Sequence, residues 1–190
     1  MKSSLLSFVV LLTACVGQEN PAAAPAYVDE APLPAGWPQP GPYNQVAEKS
    51  YPKYRAAFTD NRGESVAFWT LFLHIQRKEI PMTAPVQMPM TDADGKLSQA
   101  GMAFLYQNDD VGEKGADGGK VVVKDVPAET VLSYTWQGPD SQANIATARA
   151  RLDAKLTETK QAAKSFRLLG YNGPGTPREK RTWELQAILR

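Results

Sequence analysis

The sequence predicts an α+β fold in which two pseudo-equivalent halves repeat one plan, strand-strand-helix-strand-strand, with both helices on one face of an antiparallel sheet. Three observations predict it. Two segments carry apolar residues at the i, i+3, i+4, i+7 spacing of an amphipathic helix, short strand-like runs flank each in the same order, and turn clusters separate the runs. Two such halves can pair edges into a curved sheet or an open barrel.

Strands are expected over Gln45 to Lys49 and Lys53 to Phe58, the second entered through Tyr51-Pro52. Thr59-Asp60-Asn61-Arg62-Gly63 is a turn cluster, and the helix after it runs from about Glu64 to Arg77, with Phe68, Leu71, Phe72 and Ile75 as its core face. Pro81, Pro85 and Pro89 forbid helix over Ile80 to Met90, which is therefore extended, and Met102 to Gln107 is the next strand. Residues 108–120 hold Gly112, Gly115, Gly118 and Gly119 among charged residues and read as an exposed loop. The stretch Gly115 to Lys120 is one residue short of a phosphate loop and is followed by Val121 where Ser or Thr is required, so no nucleotide site is expected. The second half has strands at Val121 to Val126 and Thr130 to Trp136. Its helix runs from about Ser141 to Lys164, with Ile145, Ala148, Leu152 and Leu156 on one stripe, and strands follow near Arg167 to Tyr171 and Arg181 to Leu189.

The 190 residues are 43% apolar and carry 21 basic against 20 acidic groups, a balance that argues against a protein that binds nucleic acid by neutralising phosphates. One cysteine and one histidine exclude an intrachain disulfide, a Cys-x-x-Cys knuckle and a multi-histidine zinc site. There is no Gly-x-Ser-x-Gly elbow and no paired carboxylate motif, so a binding module is expected rather than an enzyme.

Upstream, Lys2 and the apolar run Leu5 to Leu12 read as an export signal, too short to span a hydrocarbon core about 30 Å thick. The run ends in Leu12-Thr13-Ala14-Cys15, which resembles the bacterial lipobox; the alternative is an ordinary secretory signal with a chance cysteine. Cleavage before Cys15 and acylation, with palmitate among the chains, would anchor the protein in a membrane. Residues 16–42, with Pro21, Pro25, Pro32, Pro34, Pro38, Pro40 and Pro42, read as a solvated spacer, the alternative being that Tyr27 and Trp37 dock on the domain or on lipid headgroups. The expected organisation is a signal peptide over 1–14, a lipidated Cys15 and Pro/Ala-rich linker over 15–42, and a folded domain over 43–190. Val16 after Cys15 points to the periplasmic side of an outer membrane within the cell envelope.

Several ordered motifs lie in the folded part. Phe68-Trp69-Thr70-Leu71-Phe72-Leu73-His74-Ile75 precedes Ile80-Pro81-Met82-Thr83-Ala84-Pro85-Val86, with Tyr51-Pro52-Lys53-Tyr54-Arg55 before them. Met102-Ala103-Phe104-Leu105-Tyr106, Tyr171-Asn172-Gly173-Pro174 and Trp183-Glu184-Leu185 come after. From about Tyr51 to Leu189 this pattern resembles the SOUL haem-binding-protein family, with its I-x-M-T-x-P-V signature and F-x-x-L-x-x-Y-I helix. The resemblance implies a distorted antiparallel β-barrel with two helices that binds a tetrapyrrole, haem or porphyrin, non-covalently in an open apolar groove near the first helix. It also implies that an axial histidine is frequently dispensable. His74 departs from the usual Tyr, and Gln76-Arg77-Lys78-Glu79 replaces a Gly- and Asn-containing loop.

A porphyrin offers a flat apolar plate and two propionates, so its groove needs apolar side chains, one or two rim cations and, for tight iron ligation, an axial donor. Val66, Trp69 and Leu73 form a second apolar strip on the first helix, either sandwiched in protein or offered to a ligand. His74, on a more polar strip with Thr70 and Arg77, is the one imidazole available to haem iron, and its alternative is plain solvation. Arg77 and Arg55 are the candidate propionate partners, with a rim salt bridge as the alternative for Arg55. Met88 and Met90 are candidate groove-lining thioethers, while Met82 and Met102 are expected in the core. The expected function is reversible tetrapyrrole carriage or buffering by a membrane-anchored lipoprotein. Its rivals are a small-molecule effector or lipid-binding sensor, marked by an acidic residue at the groove centre, and a structural envelope lipoprotein with a filled groove.

Overall fold

The computed structural model describes residues 25–60 and 63–190. The export signal, Cys15 and residues 16–24 lie outside the described residues, as do Asn61 and Arg62 of the turn before the first helix.

The first half comprises β1 (Val46–Tyr51), β2 (Tyr54–Asp60), α1 (Glu64–Arg77), β3 (Val86–Ala93), β4 (Lys96–Gln99) and β5 (Gly101–Leu105). The second comprises β6 (Gly115–Asp117), β7 (Val121–Val126), β8 (Glu129–Gln137), α2 (Gln142–Thr159), β9 (Ala163–Gly170) and β10 (Thr182–Leu189). The strands form one antiparallel sheet in the order β1-β8-β10-β9-β3-β5-β2-β7-β6, with β4 on β3. Without β4 and β6 this order is a palindrome: β1, β2, β3 and β5 map onto β7, β8, β9 and β10. Each half lends its first strand to the other, β1 to β8 and β7 to β2, about a pseudo-two-fold axis between β3 and β9.

The fold is the expected α+β, two helices on a distorted antiparallel sheet, and the sheet stays open rather than closing into a barrel. The sheet runs from β1 at one edge to β6 at the other, and no pairing joins these edges among the described residues. It does bend. Arg167 on β9 donates to the Tyr54 hydroxyl on β2 at 2.9 Å, although β3 and β5 lie between them and would hold the two strands about 14 Å apart in a flat sheet.

Both helices lie on one face because strand alternation offers each a greasy patch there. Leu132, Tyr134, Trp136, Leu185 and Ala187 receive the Ile145, Ala148, Leu152 and Leu156 stripe of α2, and Ala57, Met102, Phe104, Val121 and Val123 receive Ala67, Leu71 and Ile75 of α1. The burial of each such Leu or Ile is worth about 1.5–3 kcal/mol. The opposite face is polar at its centre. Arg167 is 2% exposed and donates to Gln186 (2.6 Å) and Glu129 (2.9 Å), while Glu184, fully buried, accepts from Lys49 (2.7 Å), Tyr51 (2.8 Å), Thr135 (2.9 Å) and Gln186 (2.6 Å).

Four expectations change. The buried face of α1 is Ala67, Leu71, His74 and Ile75, with Phe68 and Phe72 half-buried, so the helix is rolled towards His74. Helix α2, capped by Ser141, ends at Thr159 rather than Lys164: Lys160 turns left-handed (φ 55°) and the chain from Ala163 pairs with β10, a tertiary gain that outweighs the helix propensity of Gln161-Ala162-Ala163. The loop at 108–120 contains β6, which pairs with β7 around Gly118 and Gly119, both at positive φ. Finally, the described part of the linker is not a solvated spacer. Trp37 is 6% exposed, edge-on to Tyr51 and Tyr54 at 4.6 and 5.1 Å, and Ala35 donates its N–H to the Gln107 carbonyl at 2.8 Å.

The hairpin is tied down by charge. Arg55 reaches Asp125 (2.7 Å) and the carbonyls of Gly112 (2.7 Å) and Val111 (3.1 Å), and with Lys114 it holds the Asp125 carboxyl down at about 2. A carboxyl depressed below its unfolded value near 3.9 contributes stability that is complete above that value and lost as pH falls through about 2. Acidification from pH 4 to 2 is thus expected to loosen the β6–β7 hairpin, read as accelerated exchange of its amides. In Arg55→Gln the Asp125 titration, followed by carboxyl NMR, should move up towards the ordinary range; an unmoved midpoint would remove Arg55 as the cause.

Candidate functional site

Chain segments distant in sequence meet beside the N-terminal half of α1 around a cleft of about 470 Å³, inside the roughly 300–1,000 Å³ range of small-molecule sites. One wall is the first two turns of α1, with Glu64, Ser65, Phe68 and Trp69. The floor is Val86 and Met88 of β3, Met102 of β5, Gly170 at the end of β9 and Trp183 of β10. The remaining walls are Met82-Thr83-Ala84, the loop Tyr171 to Pro174, Arg181, and Glu30 and Ala31 of the N-terminal segment.

Local chemistry sets these pieces. Gly170 is required by the floor, because a Cβ there would sit 2.7 Å from Cζ3 of Trp183, leaving the indole nowhere to lie. Thr83 donates to the Leu105 carbonyl (2.6 Å), which pins the Met82–Ala84 segment onto β5. The Asn172 side chain accepts from the Thr182 N–H (2.9 Å), which ties the 171–174 loop to β10. Arg181 is the one cation lining the cleft among the described residues. Its Nε donates to the Thr176 carbonyl (2.9 Å) and its Nη2 to the Pro174 carbonyl (3.1 Å), and it makes no ion pair among the described residues. The Trp183 indole N–H is buried without an acceptor among them.

Of the residues singled out from sequence, the structure brings Trp69 and Met88 to the cleft. Val66, Trp69 and Leu73 are 53%, 57% and 58% exposed, so the strip is open to solvent, but Val66 and Leu73 lie outside the lining. Met90 packs against the α2 cluster, while Met102 lies in the α1 core cluster and Met82 packs against it, as expected, and both also line the cleft. His74 is neither solvated nor in the lining. It is 2% exposed, with Nδ1 on the Asp117 carboxylate and Nε2 on the Tyr106 hydroxyl (2.8 Å), so neither nitrogen is available to iron. Arg77 binds the same Asp117, and together with His74 it holds that carboxyl below its ordinary range. Burial beside Asp117 pushes the Tyr106 phenol up to about 12. Arg55 and Arg77 therefore clamp the β6–β7 hairpin instead of the cleft. His74→Ala is expected to strand the buried Tyr106 hydroxyl and leave Asp117 to Arg77 alone, lowering stability by about 1–3 kcal/mol in urea unfolding and leaving any Soret spectrum of bound hemin unchanged; a lost Soret band would return His74 to the iron.

Sequence reasoning missed Arg181, Trp183, Phe68, Glu30 and Ala31 as lining residues. The signal was present for some of them. The Met82–Val86, Tyr171–Pro174 and Trp183 motifs, read as fold markers, converge on one cleft.

Solved structures share the fold at low sequence identity. An uncharacterized conserved protein from Listeria innocua aligns with TM-score 0.59 at 15% identity over 79% of this chain and 94% of its own. The EcmrR C-terminal domain aligns with TM-score 0.55 at 18% identity over 77% and 97%. A hydrolase from Listeria innocua aligns with TM-score 0.54 at 14% identity over 79% and 94%. No curated protein matches the chain in sequence. The family model described as SOUL heme-binding protein matches residues 42–186, which contain both helices, every strand of the sheet except the last residues of β10, and most of the cleft, and the chain belongs to that family.

Proposed function

We propose that the chain binds a tetrapyrrole reversibly in this cleft and carries or buffers it. The observation that supports this most is the convergence of three family motifs on an open apolar cleft lined by Phe68, Trp69, Met82, Met88 and Met102, with Arg181 as its one described cation. Burial of a flat macrocycle against these side chains supplies affinity at about 25 cal/mol per Å². Arg181, through a guanidinium with no carboxylate partner among the described residues, is the propionate partner in place of Arg55 or Arg77. The lining holds no imidazole or thiol among the described residues, and the thioethers of Met82, Met88 and Met102 are the soft donors it offers to iron, so burial of the ring and pairing of its carboxylates are the main sources of affinity in this reading.

Titration with hemin and with metal-free protoporphyrin IX tests this. Saturable spectral changes at micromolar ligand, with comparable affinities for the two, are expected; no saturable change with either would end the reading. The effector-domain alternative draws on Glu30 and Glu64, carboxylates on the cleft walls. It predicts that a lipophilic cation binds and displaces hemin. From the lipobox-like Leu12-Thr13-Ala14-Cys15, the protein is proposed to be exported and anchored through acylated Cys15 on the periplasmic side of an outer membrane. Metabolic palmitate labelling, lost in Cys15→Ser, checks it.

A further inference from the structure

The family model begins at residue 42, yet the cleft has a wall upstream of it. We infer that the N-terminal strap, residues 26–37, is a working part of the site that sets how long a ligand stays, an inference that rests on the cleft being a ligand site as proposed above.

Three of the strap's hydrogen bonds fall on the two loops that shape the cleft. The Pro32 carbonyl accepts from the Ala84 N–H (3.0 Å), the Val28 carbonyl from the Asn172 side-chain amide (2.8 Å), and the Glu30 carboxylate from the Gly173 N–H (2.7 Å). One clasp thus holds the Met82–Ala84 wall and two hold the Tyr171–Pro174 wall, while Glu30 and Ala31 themselves line the space between. The two ends of the strap are held differently. Its C-terminal end is locked by Trp37 between Tyr51 and Tyr54 and by the Ala35–Gln107 hydrogen bond. At the other end Tyr27 packs on the same core cluster, edge-on to Tyr171 at 5.7 Å, while residues 28–31 between these anchors are mostly exposed. The middle of the strap, residues 28–31, can therefore lift from the cleft by breaking a few hydrogen bonds without disturbing the core around Trp37 and Tyr27. Pro25, Pro32 and Pro34 restrict the chain before it docks, which lowers the entropy lost on closing.

The strap is thereby a wall with a releasable edge, and Glu30 is a positioning residue for the Gly173 loop. Release of bound ligand should be limited by the clasp, and entry and exit on this side should quicken when it is removed.

The test compares full-length protein with Glu30→Ala, Glu30→Gln and an internal deletion of residues 25–31 that keeps Trp37. Dissociation is followed for hemin transferred to excess apomyoglobin and for the apolar dye 1-anilinonaphthalene-8-sulfonate. Glu30→Ala is expected to speed dissociation on the order of threefold to tenfold, the loss of one hydrogen bond, and to expose the Gly173 amide to exchange. Glu30→Gln retains an acceptor and should stay near wild type, and the deletion should release fastest with unfolding still cooperative. Unchanged off-rates in both Glu30→Ala and the deletion would overturn the inference, as would Gln behaving like Ala. If hemin does not bind but the dye does, the tetrapyrrole reading fails while the dye's off-rates still decide the strap. If neither binds, both fail.

Discussion

Arg167→Met is expected to lower the unfolding free energy by about 3–5 kcal/mol, the largest stability effect of any single change considered, because it removes a cation that buried groups depend on. The guanidinium is 2% exposed, bonds to Gln186, Tyr54 and Glu129, and lies 5.4–6.0 Å from the rings of Trp37, Tyr51 and Tyr54. Its loss leaves the half-buried Glu129 carboxylate without its cation and releases the hydrogen bond that ties β2 to β9 across the bend of the sheet. Arg167→Lys should recover little, since an ammonium cannot reproduce the planar fork or the stacking on aromatic faces. Urea unfolding followed by tryptophan fluorescence reads the change. The double variant Arg167→Met with Glu129→Gln should be less destabilised than the sum of its parts, and a single-variant loss below about 1 kcal/mol would mean that water, not Glu129, is the main partner of this arginine.

Trp69→Ala should weaken hemin binding about 10- to 100-fold, the equivalent of about 1.5–3 kcal/mol of lost apolar contact, with little change in fold stability. Trp69 is 57% exposed in the free protein, edge-on to Phe68 and Phe72 at 5.9 and 5.5 Å, and stands in the cleft wall. An exposed aromatic has little burial to lose from the folded state, so its removal is felt in binding rather than in folding. Leu73→Ala, one helical turn away and equally exposed, lies outside the lining and should leave affinity unchanged. Equal losses in the two variants would move the ligand from the cleft onto the open helix surface.

The duplicated plan was legible because it rests on short-range signals. Apolar spacing in α1 and α2, prolines across 80–90 and alternation in β8 and β10 depend on neighbours a few residues apart, and most expected elements formed close to their spans, with the end of α2 and the start of β3 the largest departures. The missed β4 strand had such a signal too, the Asp94-Gly95 dipeptide at its hairpin turn, with both residues at positive φ. The roll of α1 was not legible. A helical wheel assigns apolar and polar sides but cannot say that Tyr106 and Asp117, 32 and 43 residues onward, supply partners for both nitrogens of His74 and so make a histidine acceptable in the core.

The sequence by itself determined the fold class and the internal duplication, which follow from the order and periodicity of residues along the chain, and its ordered motifs carried the family resemblance, which in turn implied an apolar groove near the first helix. The tertiary structure alone decided which groups reach that site. Arg55, Arg77 and Arg181 are equivalent cations on paper, but acidic groups of the Gly-rich hairpin capture the first two, and the third is left facing the cleft. Likewise Pro-rich composition predicted a spacer, and the pocket between Tyr51 and Tyr54 made it a wall by burying Trp37. The physical reason is the same in both cases: a charge or an indole takes its role from the partner it meets, and that meeting is fixed by how strands distant in sequence are laid side by side.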